Sequence, residues 1–108
     1  MKTIFSYEKA SALIPEVRRL TAAAVAELEA AFAQRTNGEV DGEENSEEYQ
    51  RIVGGWAESV ARLGIEVKGL WLVDFDSGSG YYCWKYPEAS LQFFHGYEEG
   101  FGGRVPLT

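Results

Sequence analysis

The spacing of the hydrophobic residues changes once along this chain, at Gly64, and that change dictates the class of fold. Before it, Leu13, Val17, Leu20, Ala24, Leu28 and Ala31 recur every three or four residues, as do Tyr49, Ile52, Val53, Trp56, Val60 and Leu63. Such spacing lines one face of a helix. After it, Leu70 to Phe75, Tyr81 to Lys85 and Leu91 to His95 are aromatic and β-branched runs. They are split by Asp76-Ser77-Gly78-Ser79-Gly80 and by Tyr86-Pro87-Glu88-Ala89, and Ile65-Glu66-Val67 adds a possible short strand. Runs of this kind between turn residues form antiparallel strands. The chain is therefore expected to be α+β: a long antiparallel helical hairpin over 1–64, packed on a three- to four-stranded antiparallel β-meander over 65–95. An ordered Gly-rich C-terminal tail over 96–108 completes a single domain, which 108 residues suit.

Local signals refine this outline. Ser6 is a good N-cap, Phe5 a staple residue, and Glu8 a first-turn acid that the helix dipole favours. Pro15 removes a backbone donor and clashes one turn back, so a kink is expected there, or a short helix ending near Leu13. Asn37-Gly38 reads as a stop, residues 37–46 as a solvated acidic link, and Asn45 with Glu48 as a capping box. Gly54-Gly55 is costly inside a helix and suggests close backbone approach or a bend. Gly64 ends the second helix.

Composition excludes several classes of function. Seventeen Asp+Glu against ten Lys+Arg give a formal charge of −7, which repels phosphate backbones, so no nucleic-acid partner is expected. A hydrophobic content of 45% is too high for a disordered acidic chain. The single cysteine, Cys83, rules out an intramolecular disulfide or a multi-cysteine zinc site. The start lacks the apolar stretch of a signal peptide, and no apolar run is long enough to span a bilayer. A cytoplasmic protein with no membrane partner is the expectation.

Register decides which strand residues share a face. Pairing Lys85 with Ser90 sets Trp84 opposite Leu91 and Tyr82 opposite Phe93, and Phe75 is placed opposite Tyr81. One face then carries Tyr82, Trp84, Leu91, Phe93 and His95 with Leu72 and Asp74, and the helices cover it. The other carries Trp71, Val73, Phe75, Tyr81, Cys83 and Phe94, too apolar for water. That face suggests a second subunit, another partner or a small-molecule pocket.

Chemistry-bearing residues are few. His95, the only histidine, follows a strand beside a glycine turn, with Asp74, Glu88, Glu98 and Glu99 nearby in sequence or by register. A structural histidine bonded to the tail, a metal ligand and an acid–base group are the roles open to it. The expected register separates Asp74 from His95 by about 10 Å. Ligand-binding candidates are His95, Arg104, Asp74, Glu98 and Trp84. A divalent metal, if held, would use His95, Glu98 and Glu99. Cys83 is read as a buried inert thiol, facing away from His95 by alternation. Arg104 either clamps an anion or pins the tail through Glu88, Glu98 or Asp74.

Several stretches resemble a bacterial family of uncharacterised proteins, domain of unknown function 2203, over nearly the whole chain. They are Phe5-Ser6-Tyr7-Glu8, Ala12-Leu13-Ile14-Pro15, Gly64-Ile65-Glu66-Val67-Lys68, Val73-Asp74-Phe75 and Cys83-Trp84-Lys85 with Glu88. His95 and Gly100-Phe101-Gly102-Gly103-Arg104-Val105-Pro106-Leu107 follow, the last stretch being rather specific. Two positions depart from the family pattern: Gly96 stands where Glu usually follows the histidine, and Asp76 where Pro follows the Asp-Phe pair. The resemblance implies no activity. What the residues support is a small interaction or ligand-binding module, homodimeric through its apolar sheet face. The alternatives are a metal-binding protein or metal-dependent enzyme using His95, and a coiled-coil scaffold.

Overall fold

The computed structural model describes residues 2–33 and 46–107. Two helices, α1 (Tyr7–Ala33) and α2 (Glu47–Ala61), precede five strands: β1 (Glu66–Gly69), β2 (Leu72–Asp76), β3 (Tyr81–Lys85), β4 (Phe93–His95) and β5 (Val105–Pro106). The strands form one antiparallel sheet in sequence order. The fold is α+β as expected, with five strands where three or four were anticipated, because residues 105–106 pair with β4.

The Ser6 hydroxyl accepts the Lys9 N–H at 3.1 Å and so caps α1. The helix then continues through Pro15 and does not end near Leu13. Ile14 and Val17, on either side of the proline, are both buried. Burying two such side chains contributes roughly 3–6 kcal/mol, which offsets the ~3 kcal/mol that an internal proline costs. The N-cap of α2 is Ser46, whose Oγ accepts the Tyr49 N–H at 3.0 Å. The expected cap Asn45, the stop at Asn37-Gly38 and the rest of the acidic link lie outside the described residues.

The helices run antiparallel. Trp56 Nε1 donates to Thr21 Oγ1 at 2.8 Å and Arg51 Nη1 to Glu27 Oε2 at 3.2 Å, so α2 descends as α1 ascends. Gly54 and Gly55 do not mediate this contact: a Cβ on either would meet nothing within 4 Å. Gly64, by contrast, sits at φ +88°, where a side chain is strained and would collide with Thr3.

Register departs from expectation by one residue in both hairpins. Phe75 pairs with Tyr82 and Asp76 with Tyr81, while Tyr82 pairs with Phe94 and Cys83 with Phe93. A four-residue loop, closed by Ser77 N–H to the Gly80 carbonyl at 2.8 Å, sets the first register. Gly80 is required there, since a Cβ would press into the Phe94 ring and the His95 carbonyl. Each one-residue slip turns a whole neighbouring strand over. Val73, Phe75 and Trp84 therefore face the helices, in one core with Val17, Ile52, Trp56 and Val60. The outer face carries Asp74, Asp76, Tyr81, Cys83, Phe93 and His95. The exposed apolar face on which self-association was expected is thus replaced by a row of polar groups.

Candidate functional site

Three strands deliver that row. In register, Asp74 on β2 lies beside Cys83 on β3, which lies beside Phe93 on β4; the next rung holds Asp76, Tyr81 and His95. Asp74, Asp76 and His95 are 2%, 1% and 4% exposed, and Cys83 is equally buried. Buried ionisable residues grouped in this way demand partners.

His95 reaches across β3 to Asp74. Its Nε2 lies 2.9 Å from Asp74 Oδ2 and its Nδ1 lies 2.8 Å from the Gly96 carbonyl oxygen. The expected ~10 Å between these residues counted backbone steps alone; the two side chains lean toward each other over Cys83, which is too small to block them. Cys83 and His95 also share a face, contrary to expectation. Asp74, Cys83 and His95, all buried, form one cluster of ligand-type atoms: one carboxylate oxygen, the thiol sulfur and one ring nitrogen lie within 4.8 Å of one another. Asp74 Oδ1 itself has no hydrogen-bond partner among the described residues.

Lys68 on β1 closes one side. Its Nζ is 3.5 Å from Asp74 Oδ2, 3.5 Å from Glu66 Oε1 and 3.9 Å from the centre of the Tyr81 ring. Burial opposes its charge, but Asp74 and Tyr81 outweigh that and raise its pKa.

Asp76, two residues from Asp74, has close partners at both oxygens, where Asp74 has them at Oδ2 alone. Its Oδ1 accepts Tyr97 O–H at 2.7 Å and Gly78 N–H at 2.9 Å. Its Oδ2 makes no well-directed hydrogen bond, yet Lys2 Nζ stands 2.8 Å away and neutralises it. Burial alone would push this carboxyl up; Lys2, Tyr97 and Gly78 together hold it below the usual carboxylate range.

The Cys83 thiol is pushed up to about 12, chiefly by burial and then by the Asp74 charge, with Arg104 opposing. It is protonated at neutral pH and is no nucleophile. Arg104 Nη1 donates to Cys83 Sγ at 3.9 Å, but its main partners lie elsewhere. Its guanidinium lies 3.9 Å from the Phe93 ring centre and 4.2 Å from that of Phe101, and it forks onto both Glu88 oxygens. Glu88 Oε1 also accepts the Lys85 N–H at 2.9 Å. Of the two roles considered for Arg104, the pin is the one in place. Trp84 lies on the helix-facing side, fully buried, with its Nε1 donating to the Glu88 carbonyl; it does not join the other candidates.

A cleft of about 460 Å³ opens over Asp74, Cys83 and His95, walled by Lys68, Tyr97 and Glu98. Glu99 lines it too, but Glu99 Oε1 accepts the Gly96 N–H at 2.8 Å. Among the described residues, the ligand-type atoms within 4.8 Å of one another are those of Asp74, Cys83 and His95, while Glu98 and Glu99 line the same cleft. Lys68 and Cys83 are the residues that sequence reasoning missed; the correct register would have placed Cys83 beside Asp74. No helix of the described residues is long and apolar enough to cross a membrane.

A family model described as "Uncharacterized conserved protein (DUF2203)" matches residues 3–107. No curated protein matches the chain, and no solved structure does.

Proposed function

The chain belongs to the uncharacterized conserved family DUF2203, a membership that carries no activity with it, and from the geometry alone we propose a binding protein that receives a cation in the cleft on the outer sheet face. One observation carries this reading: Asp74, which lines that cleft, is buried and leaves its Oδ1 without a hydrogen-bond partner among the described residues. An unpaired carboxylate oxygen out of water costs several kcal/mol unless a positive group answers it. The cleft lining is also acidic, with Asp74, Glu98 and Glu99 against the single ammonium of Lys68, which Glu66 shares. A nucleophilic enzyme is a poorer fit, since the Cys83 thiol holds its proton.

The test is thermal unfolding of the metal-free protein with added zinc, calcium, magnesium or ethylammonium chloride. A ligand that binds only the folded state raises the melting temperature by mass action. At least one of these cations is expected to do so, and Asp74→Asn is expected to abolish the shift. If no cation shifts the transition, or if Asp74→Asn shifts as far as the parent, the reading fails.

A further inference from the structure

Resting on that reading, we infer that the cation is a divalent transition-metal ion of the zinc class, held by His95 Nε2, Asp74 Oδ1 or Oδ2 and Cys83 Sγ. The first reason is the hydrogen-bond arithmetic of His95. Both ring nitrogens face oxygen atoms, Gly96 O at 2.8 Å and Asp74 Oδ2 at 2.9 Å. A backbone carbonyl only accepts, so Nδ1 is an N–H donor, which leaves Nε2 as the ring nitrogen facing the carboxylate. That contact takes a positive centre, a proton on Nε2 or a metal ion in its place. A histidine whose Nδ1–H is anchored on a carbonyl, with Nε2 aimed at a carboxylate, is oriented as metal-binding histidines are.

The second reason is Asp74 Oδ1, a buried acceptor with no hydrogen-bond partner among the described residues, on a residue 2% exposed that belongs to the same cluster. The third is size. A tetrahedral ion with bonds of about 2.0–2.3 Å sets its ligands roughly 3.3–3.8 Å apart. One atom each of Asp74, Cys83 and His95 already lies within 4.8 Å of the others, and the 2.9 Å His95–Asp74 approach needs to open by only a few tenths of an ångström.

The donor set selects the ion. Imidazole with thiolate is too soft for magnesium or calcium, which prefer all-oxygen shells, and suits zinc, cobalt or iron. Three protein ligands leave a fourth position, which opens on the cleft beside Lys68 and Glu98. That makes it an exchangeable site for water or a small donor molecule rather than a closed structural one. Lys68 Nζ, 3.5 Å from both Asp74 and Glu66, has Glu66 as its remaining carboxylate partner when an ion takes Asp74.

Cobalt(II) reports each element of this assignment. Reduced, metal-free full-length protein is titrated with cobalt, and zinc is then added to displace it. One equivalent is expected to bind, with strong visible bands of tetrahedral cobalt and a near-ultraviolet thiolate-to-cobalt charge-transfer band. Cys83→Ser is expected to keep its far-ultraviolet circular dichroism and lose that charge-transfer band. Asp74→Asn and His95→Gln are each expected to weaken zinc binding beyond the ~10–100-fold that losing a group that only orients a ligand costs. Binding without the charge-transfer band, or a band that survives Cys83→Ser, overturns the assignment. If ethylammonium stabilises the protein through Asp74 while cobalt and zinc do not bind, the metal assignment falls and the cation reading stands. If no cation acts through Asp74, both fall.

Discussion

Asp74 and His95 meet across the full width of strand β3, Oδ2 to Nε2 at 2.9 Å, with Cys83 beneath them and the backbone carbonyl of Gly96 fixing the far side of the imidazole. Asp74 and Asp76 are near neighbours on one strand face with different provisions. Asp76 is surrounded by an ammonium, a phenol and a backbone N–H. Asp74 keeps one oxygen unanswered. That asymmetry separates a structural carboxylate from one available to a ligand.

Substitution at Asp74 separates stability from binding. Asn keeps the shape and offers an N–H to His95 Nε2, so the metal-free protein is expected to stay within about 1 kcal/mol of the parent. Ala leaves His95 and Lys68 without their partner and is expected to cost about 1–3 kcal/mol. Urea unfolding of the two variants measures both.

Asp76 predicts the acid limb of stability. Its folded pKa lies below the ordinary 3.8, so on acidification the unfolded chain takes up the proton first. The stabilisation is complete above about pH 5 and fades as pH falls through 3.8 toward the depressed folded value. Unfolding free energies measured from pH 7 to pH 3 should drop along this limb, and Asp76→Asn should flatten it. Equal slopes in parent and variant would remove Asp76 from the explanation.

Arg104→Lys tests the pin on the C-terminal segment. Lysine keeps the charge but loses the two-pronged pairing with Glu88 and the stacking on Phe93 and Phe101. A loss of about 1–2 kcal/mol is expected. Amide exchange should quicken over residues 96–107 and leave α1 and α2 unchanged.

The Cys83 thiol, pushed up to about 12, should resist alkylation. At pH 8 iodoacetamide is expected to label the folded protein at least about a hundredfold more slowly than the urea-unfolded chain, because so little thiolate is present. Equal rates would place the thiol in a different environment.

Between the helices, Thr21 Oγ1 accepts from Trp56 Nε1 while donating to the Val17 carbonyl at 2.7 Å. Thr21→Val removes both and strands a buried indole N–H, an expected loss of about 1–3 kcal/mol by thermal or urea unfolding.

What could be read from the residues follows the range of the signals. Helical stripes and strand alternation are local, so α1, α2, β3 and the inward side chain Trp84 were legible before any coordinates. Ser6 and Gly64 were legible because capping and positive φ are single-residue chemistry. Register was not, because it depends on how loops close. The turn after Asp76 uses four residues, and residues 86–92 cross to β4 without a tight hairpin. The resulting one-residue shifts moved Cys83 from the far face to the floor of the site and turned an anticipated apolar surface into a polar row. Gly54-Gly55 misled for another reason: an absent side chain signals close approach only where something approaches. Arg104 was half legible, its fork calling for a carboxylate among several candidates, of which folding supplies Glu88.

X-ray absorption at the zinc K-edge of the zinc-loaded protein bears most directly on the assignment of Asp74, Cys83 and His95 as ligands. One sulfur at about 2.3 Å with nitrogen and oxygen at about 2.0–2.1 Å is the predicted shell, with imidazole scattering beyond it. A shell of oxygen and nitrogen alone, or one unchanged in Cys83→Ser, would contradict it.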